Sequence, residues 1–248
     1  MKPADPIVEL ASRIQSASRI TVLTGAGVSA ASGVPTFRGH GGLWKNHDPM
    51  QLATPEAFQR DPKLVWEWNN WRRELMAQCR PNAAHEMLAA WSRRLPGFVL
   101  VTQNIDGLHE RAGTENLLRF HGSIWEVLCW DGCSSSPPRW RDDRVPMEPI
   151  PPLCPHCGGL LRPGVVWFGE IIDATVLENS FAAAHCDLFL TLGTSAVVYP
   201  AAGLTHVARN EGAFTVEINQ ESTPSSRLVD LAIQGRAEEV LPRVDRLL

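Results

Sequence analysis

Between Ile20 and Trp44 runs ITVLTGAGVSAASGVPTFRGHGGLW, and this stretch limits the folds open to the chain more than any other. Ile20 to Thr24 are apolar or β-branched, the mark of a buried strand. The strand breaks on Gly25-Ala26-Gly27. Ser29, Ala30, Ala31 and Ser32 then open what reads as a helix, with side chains small enough to lie close to the strand. Glycines permit a tight turn and close backbone approach, and a helix N-terminus presents N–H groups to a pyrophosphate. This is the physical content of a dinucleotide-binding turn, and the same loop also serves as a plain strand-to-helix connection. A nicotinamide dehydrogenase would place a second strand with an acidic end about 20 residues further on. That position falls in GLWKNHDPM, which has no strand character. The polar loop PTFRGHGGLW comes instead, with Phe37 and Arg38 placed to fold over a nucleotide. The pattern argues against hydride transfer.

With 248 residues the chain has room for one large domain or a domain with a substantial insertion. A net charge of −4 leaves no basic footprint for nucleic acid. The opening MKPADPIVELASRIQ lacks an apolar signal core, and no stretch is long and apolar enough to span a membrane. The expectation is a compact cytoplasmic monomer without a targeting tail.

Residues 5–17 have helical periodicity. Thr54 caps a helix with Pro55 at its first position, Leu64 to Gln78 form a longer helix with three Trp, and Pro81-Asn82 open another through Arg94. Short apolar runs then recur at Phe98–Thr102, Leu117–Phe120, Leu188–Leu192, Phe214–Ile218 and Leu231–Ile233, as buried parallel strands do. Four of them end in polar clusters: Gln103 to Asp106, His121 to Ser123, Gly193 to Ser195, and Asn219 to Glu221. Ligands of doubly wound sheets bind beyond the carboxyl ends of strands, so these clusters point at one crevice. His121 gains weight as a chemical group from that company.

Cys129-x3-Cys133 and Cys154-x2-Cys157 are two close thiol pairs separated by 20 residues. Two such pairs complete a tetrahedral zinc site, and a four-thiolate shell leaves no open position, so the metal is read as structural. The pattern also favours a reducing compartment over disulfides. His156 reads as an exposed turn residue, and Cys79 and Cys186 read as packing positions.

GAGVSAASGVPTFRG, TQNIDGLH, FHGS, the two Cys pairs, VVWFGE, LGTS and EIN occur in that order across nearly the whole chain. Together they resemble a sirtuin, an NAD-dependent protein lysine deacylase. TPEAF, PNAAH and VVWFGE are most similar to the class III branch, which includes lysine desuccinylases. The resemblance implies an α/β fold: a Rossmann-type parallel sheet (1–36, 86–124 and 168–248) with a small inserted domain. That domain would comprise a helical module (37–85) and a zinc-binding module (125–167).

It further implies that NAD is consumed against acyl-lysine peptides or proteins. The acyl oxygen attacks the ribose C1′ as nicotinamide leaves. A base then deprotonates a ribose hydroxyl, giving lysine, nicotinamide and 2′-O-acyl-ADP-ribose. His121 matches that base, with Gln103, Asn104 and Asp106 around the nicotinamide ribose and amide. Gly25, Ala26, Gly27 and Ser29 would approach the pyrophosphate; Thr36, Phe37, Arg38 and Trp44 belong to the cofactor loop. Ile105, Gly193, Thr194, Ser195, Asn219, Gln220, Glu221 and Ala237 would hold the rest of the dinucleotide.

Val165 to Gly169 is expected to offer an extended edge to the substrate peptide, with Val166, Trp167 and Phe168 walling the lysine stem. Of Trp66, Trp68 and Trp71, only Trp68 or Trp71 is expected to touch an acyl chain. Class III members carry a Tyr-x-x-Arg pair for the carboxylate of succinyl- or malonyl-lysine, and here Asn69 and Arg72 stand at those positions. Acidic-acyl activity is therefore expected to be reduced or changed, which leaves removal of acetyl, of succinyl or malonyl, or of both open. Two other functions share parts of this pattern: protein mono-ADP-ribosylation, and non-catalytic sensing of NAD or ADP-ribose.

Overall fold

The computed structural model describes residues 5–37, 43, 48–134 and 138–248. Along the chain the strands are β1 (Ile20–Thr24), β2 (Phe98–Thr102), β3 (Leu117–Arg119), β4 (Gly122–Cys129), β5 (Arg139–Arg141), β6 (Leu161–Val165), β7 (Leu188–Leu192), β8 (Phe214–Asn219) and β9 (Leu231–Gln234). Six of them form a parallel sheet in the order β3-β2-β1-β7-β8-β9. The order runs outward in both directions from the β1–β7 pair, where Thr24 sits opposite Leu192. That pair is the topological switch point, where helices on the two sides diverge and leave a crevice at the strand ends. Every residue of β1 and β7 is buried, which is why both read as continuous apolar runs.

The helices are α1 (Pro6–Ser16), α2 (Pro49–Leu52), α3 (Pro55–Arg60), α4 (Pro62–Gln78), α5 (Ala83–Arg94), α6 (Leu108–Arg111), α7 (Ala174–Ala183), α8 (Gly203–Asn210) and α9 (Ala237–Asp245). Asp5 caps α1 by accepting from the Ile7 amide, and Ile7, Leu10, Ala11 and Ile14 turn one stripe into the core. Thr54 caps α3 through the Ala57 amide, with Pro55 at its first position as the sequence predicts. Among the described residues no helix is long and apolar enough to cross a membrane.

The segment after the glycine turn sharpens the sequence reading. Ala26–Ser32 is a helix, as read, and of the tighter 3-10 kind. The Gly25 amide donates to the Leu192 carbonyl and the Gly27 amide to the Gly193 carbonyl at 2.8 Å, which draws the turn tightly onto the end of β7. A Cβ at Gly27 would meet the Gly193 Cα at 2.8 Å, with backbone on the far side and no flexible group to yield. Gly27→Ala is therefore expected to cost about 1–3 kcal/mol, as overpacking does, read as a lowered urea midpoint at unchanged m-value.

The second sheet is antiparallel, in the order β5-β4-β6, and the sequence reading did not anticipate its strands. β6 is LRPGV, with two residues that ordinarily break strands. Both fit here because β4 and β6 slip register between Gly122 and Val127, and a Cβ at Gly164 would meet the Glu126 Cβ at 2.6 Å.

α4 is bolted to this sheet. Trp66 donates from Nε1 to the Leu161 carbonyl at 2.7 Å, and the fully buried Arg73 donates to the carbonyls of Ile124, Asp142 and Arg144. Phe58, Val65, Trp66 and Met76 share one core cluster with Ile124, Val127 and Leu161, so the helices and the cysteine-bearing sheet are one packed unit.

Candidate active site

The crevice beyond β1 and β7 holds a cavity of about 1010 Å³, at the upper end of the roughly 300–1,000 Å³ range of ligand pockets. The four polar strand ends meet there and hold one another in place. Asn104 donates from Nδ2 to the Gly25 carbonyl at 3.0 Å, and Gln103 from Nε2 to the Thr194 hydroxyl at 3.0 Å. Asn219 donates to the Thr194 carbonyl at 2.8 Å. Thr36, Phe37, Ile105, Gly193, Ser195, Gln220 and Glu221 also line the cavity, together with Gly25, Ala26 and Gly27. Ala237 lies apart, at a small hollow shared with Gly27 and Gln220. Arg38 and Trp44 lie outside the described residues.

His121 faces this cavity from the end of β3. Its Nδ1 stands 3.2 Å from the Gln103 carbonyl, and a carbonyl only accepts, so Nδ1 carries the proton and Nε2 is the basic nitrogen. Burial pulls this imidazole below its ordinary value, and the Gln103 contact partly restores it. The neutral form is thus the prevailing one at pH 7.

Two expected contact residues sit beneath the cavity floor rather than on it. Ser29 is fully buried and donates to Asp106 Oδ2 at 2.8 Å, while Asn104 donates to the Ser29 hydroxyl at 3.2 Å. Burial pushes the Asp106 carboxyl up, against the Leu108 amide, the Ser29 hydroxyl and the Arg72 charge, which favour its ionised form. Sequence reasoning gave no role to His85 and His109, which complete this buried network. His85 Nδ1 accepts from the Asn82 amide, which leaves Nε2 as the protonated nitrogen 3.4 Å from the Ser29 hydroxyl. Burial takes His85 down to about 4 and His109 well below its ordinary value, so both are neutral. The available signal was Asn82-x-x-His85, a capping box at the start of α5.

On the opposite wall stand Leu52, Ala53, Trp68, Asn69, Arg72 and the run Val165 to Gly169. Trp66 is buried in the core beneath, and Trp71 is largely exposed with its ring 5.1 Å from that of Trp68. Only Trp68 of the three lines the cavity. Arg72 is buried, which excludes a solvated helix arginine. Burial takes its guanidinium down to about 10, with the Asp106 charge opposing, so it remains a cation at pH 7.

Val166, Trp167 and Phe168 line the cavity as expected, but not as a free strand edge. Only Val165 belongs to β6. The amides of Val166, Trp167 and Phe168 donate to the His121 carbonyl, the Glu170 carboxylate and the Ala53 carbonyl. Those three donors are engaged within the chain and are not open to an added strand.

The four cysteines converge at the far end of the small sheet, all sulfurs within 4.8 Å of one another. Cys129 to Cys157 measures 3.6 Å and Cys133 to Cys154 measures 3.7 Å. These lie far beyond a disulfide bond. Four thiolates about 2.3 Å from one zinc ion at tetrahedral corners stand about 3.8 Å apart, so the donor set fits. His156 is exposed against Trp140, and Cys79 and Cys186 are buried singly, as read from the sequence.

The pattern of the Sir2 family matches residues 25–200. An NAD-dependent protein deacylase of Aquifex aeolicus is 47% identical over 226 residues, covering 91% of this chain and 93% of that protein. A second, from Pyrobaculum aerophilum, is 47% identical over 238 residues, covering 96% and 94%. Among solved structures, a Sir2 homolog–NAD complex superimposes with a TM-score of 0.89 at 41% identity, covering 99% of this chain and 94% of that one. A Sir2–p53 peptide–NAD+ complex does so with a TM-score of 0.84 at 29% identity, covering 96% of each. The chain belongs to the Sir2 family.

Proposed function

We propose that this protein is an NAD-dependent protein lysine deacylase in which the cavity beyond β1 and β7 takes NAD and the acyl-lysine from its two sides. The observation that carries the reading is the seat of His121. With Nδ1 committed to the Gln103 carbonyl, His121 lines a cavity walled on one side by the Gly25–Gly27 turn and Gln103–Asn104, and on the other by Val166–Phe168 and Trp68. The same cavity is bounded by the Gly25–Gly27 and Gly193 turns, whose missing side chains let a dinucleotide approach the backbone closely. NAD, when bound, supplies the ribose carbon that takes the acyl oxygen. The protein positions the two reactants, keeps water out with the apolar wall, and offers His121 to receive the ribose hydroxyl proton. Gln103 and Asn104 are held by Thr194 and Gly25 and present fixed dipoles to the sugar as it gains positive character.

Nicotinamide release tests the reading. Release that depends on an acylated peptide is the expected result; release onto an unmodified protein acceptor would mean ADP-ribosyl transfer, and no release would mean a sensor. We further propose that the protein works as a cytoplasmic monomer on peptides and proteins, consistent with its net charge of −4 and free thiols.

Acyl choice turns on Arg72. Its buried cation is placed to contact an acyl carboxylate, but Asn69 is too short to add the phenolic contact of the Tyr-x-x-Arg pattern. Acetyl-lysine peptides are expected to turn over at least as fast as succinyl ones. Arg72→Met should lower succinyl and malonyl turnover by about tenfold or more relative to acetyl, the worth of a charged hydrogen bond. An equal loss on all three would remove Arg72 from selectivity.

A further inference from the structure

We infer that Asn69 and Arg72 together select acyl groups that carry a hydroxyl, the 3-hydroxyacyl-lysines, over plain aliphatic ones. Asn69 is 1% exposed, and its Nδ2 donates to the Val65 carbonyl at 2.8 Å. Only the nitrogen can donate to a carbonyl, so this bond fixes which way the amide faces. Its Oδ1 is buried and has no hydrogen-bond partner among the described residues. Arg72, one helical turn on, is 6% exposed, and its Nε and Nη2 are likewise buried without a partner. The Phe37 and Trp68 rings flank the guanidinium at 5.1 and 5.8 Å. Both residues line the same cavity wall.

Buried polar groups without partners are rare, and several on one cavity wall mark a place where a ligand supplies the missing bonds. The inventory is specific: one acceptor from Asn69 and two donors from Arg72. A hydroxyl is both donor and acceptor, so it answers both kinds of unmade bond. A butyryl chain pairs with neither. A terminal carboxylate pairs with Arg72 but sets a negative oxygen beside the Asn69 carbonyl oxygen. The Asp106 charge already acts on Arg72, which weakens the pull on a second anion. The inference rests on the deacylase reading and on this wall receiving the acyl chain.

The test compares acetyl-, butyryl-, (R)-3-hydroxybutyryl- and (S)-3-hydroxybutyryl-lysine peptides with NAD. The two enantiomers match in size and polarity and differ in where the hydroxyl points, and the Asn69→Leu variant tells a fixed polar partner from steric fit. One enantiomer is expected to exceed both the other and butyryl by about tenfold in kcat/KM, the effect of a buried bond made rather than left unmade. In Asn69→Leu the enantiomer ratio should fall to about one, whatever the overall rate. Equal turnover of the three four-carbon peptides by the wild type would overturn the inference, and so would an enantiomer ratio that survives Asn69→Leu. If Asn69→Leu does not fold, the wild-type ratios decide alone. The acetyl peptide separates the two levels: its turnover with failed discrimination removes the hydroxyl preference only, and no turnover at all removes the deacylase reading beneath it.

Discussion

His121→Ala is expected to lower peptide deacylation by about 10²- to 10⁴-fold, the usual weight of a positioned general base. The loss should be much smaller for nicotinamide release from an acylated peptide, because the proton His121 receives comes off a ribose hydroxyl after nicotinamide has left. A purely structural role would depress both readouts together. The pH profile gives a second signature. Burial lowers the His121 imidazole from its ordinary value near 6.5, so deacylation should be flat through pH 7 and fall only on the acid side of 6.5.

A stability change runs through the same region and must be kept apart from it. His85 is held near 4 by burial, so the unfolded chain binds more protons than the folded one between about 4 and 6.5. Stability from the neutral His85 is fully present above 6.5 and is lost as pH falls toward 4. Thermal melts at each pH separate that loss from the titration of the base.

The central strands β1, β2, β7 and β8 were legible because they are largely buried on both faces and so announce themselves as nearly unbroken apolar runs. β1, β2 and β7 fall where the sequence places them, and β8 is longer by Asn219 alone. β3 stops at Arg119, one residue short, although the Phe120 amide still donates to the Thr102 carbonyl and its side chain is buried in the core. The small sheet was illegible for the opposite reason. Pro163 and Gly164 in β6 suppress strand propensity, and only the slipped pairing with β4 makes room for them.

The site divides in the same way. Residues that end strands or form motifs, such as Gln103, Asn104, His121 and Asn219, line the cavity where position alone points them. Whether a residue lines the cavity or supports its floor depends on packing, which spacing does not encode. Ser29 and Asp106 are held in the buried network, where His85 and His109 join them. Arg72 is the clearest case. Adjacent arginines on one helix look alike in sequence, yet Arg73 is bound to three backbone carbonyls and Arg72 retains unpaired nitrogens on a cavity wall.

Stripping the metal should abolish deacylation even though the four cysteines are remote from His121. β4 links the two sites: it starts at Gly122, beside His121, and ends at Cys129, a span of about 23 Å for eight strand residues. β6 runs back alongside, pairing Leu161 with Cys129 and Val165 with Gly122, and hands on to the Val166–Phe168 wall. Zinc bound by four thiolates contributes roughly 10–16 kcal/mol to a fold that needs it, comparable to the whole net stability of about 5–15 kcal/mol of an ordinary domain. Without it the small sheet should lose its packing, and α4 its anchors at Leu161 and Ile124.

Treatment with a strong chelator, or Cys154→Ala at the most buried of the four ligands, is therefore expected to release one zinc per chain. Near-ultraviolet dichroism from the tryptophans and deacylation should be lost in step. Cobalt restoration distinguishes the two kinds of metal site. A structural ion leaves the restored rate near that of the zinc form, whereas a metal that touched the chemistry would change the rate and its pH dependence. A zinc-free protein that still melts cooperatively and deacylates at the original rate would show that the four thiols hold this sheet without a metal.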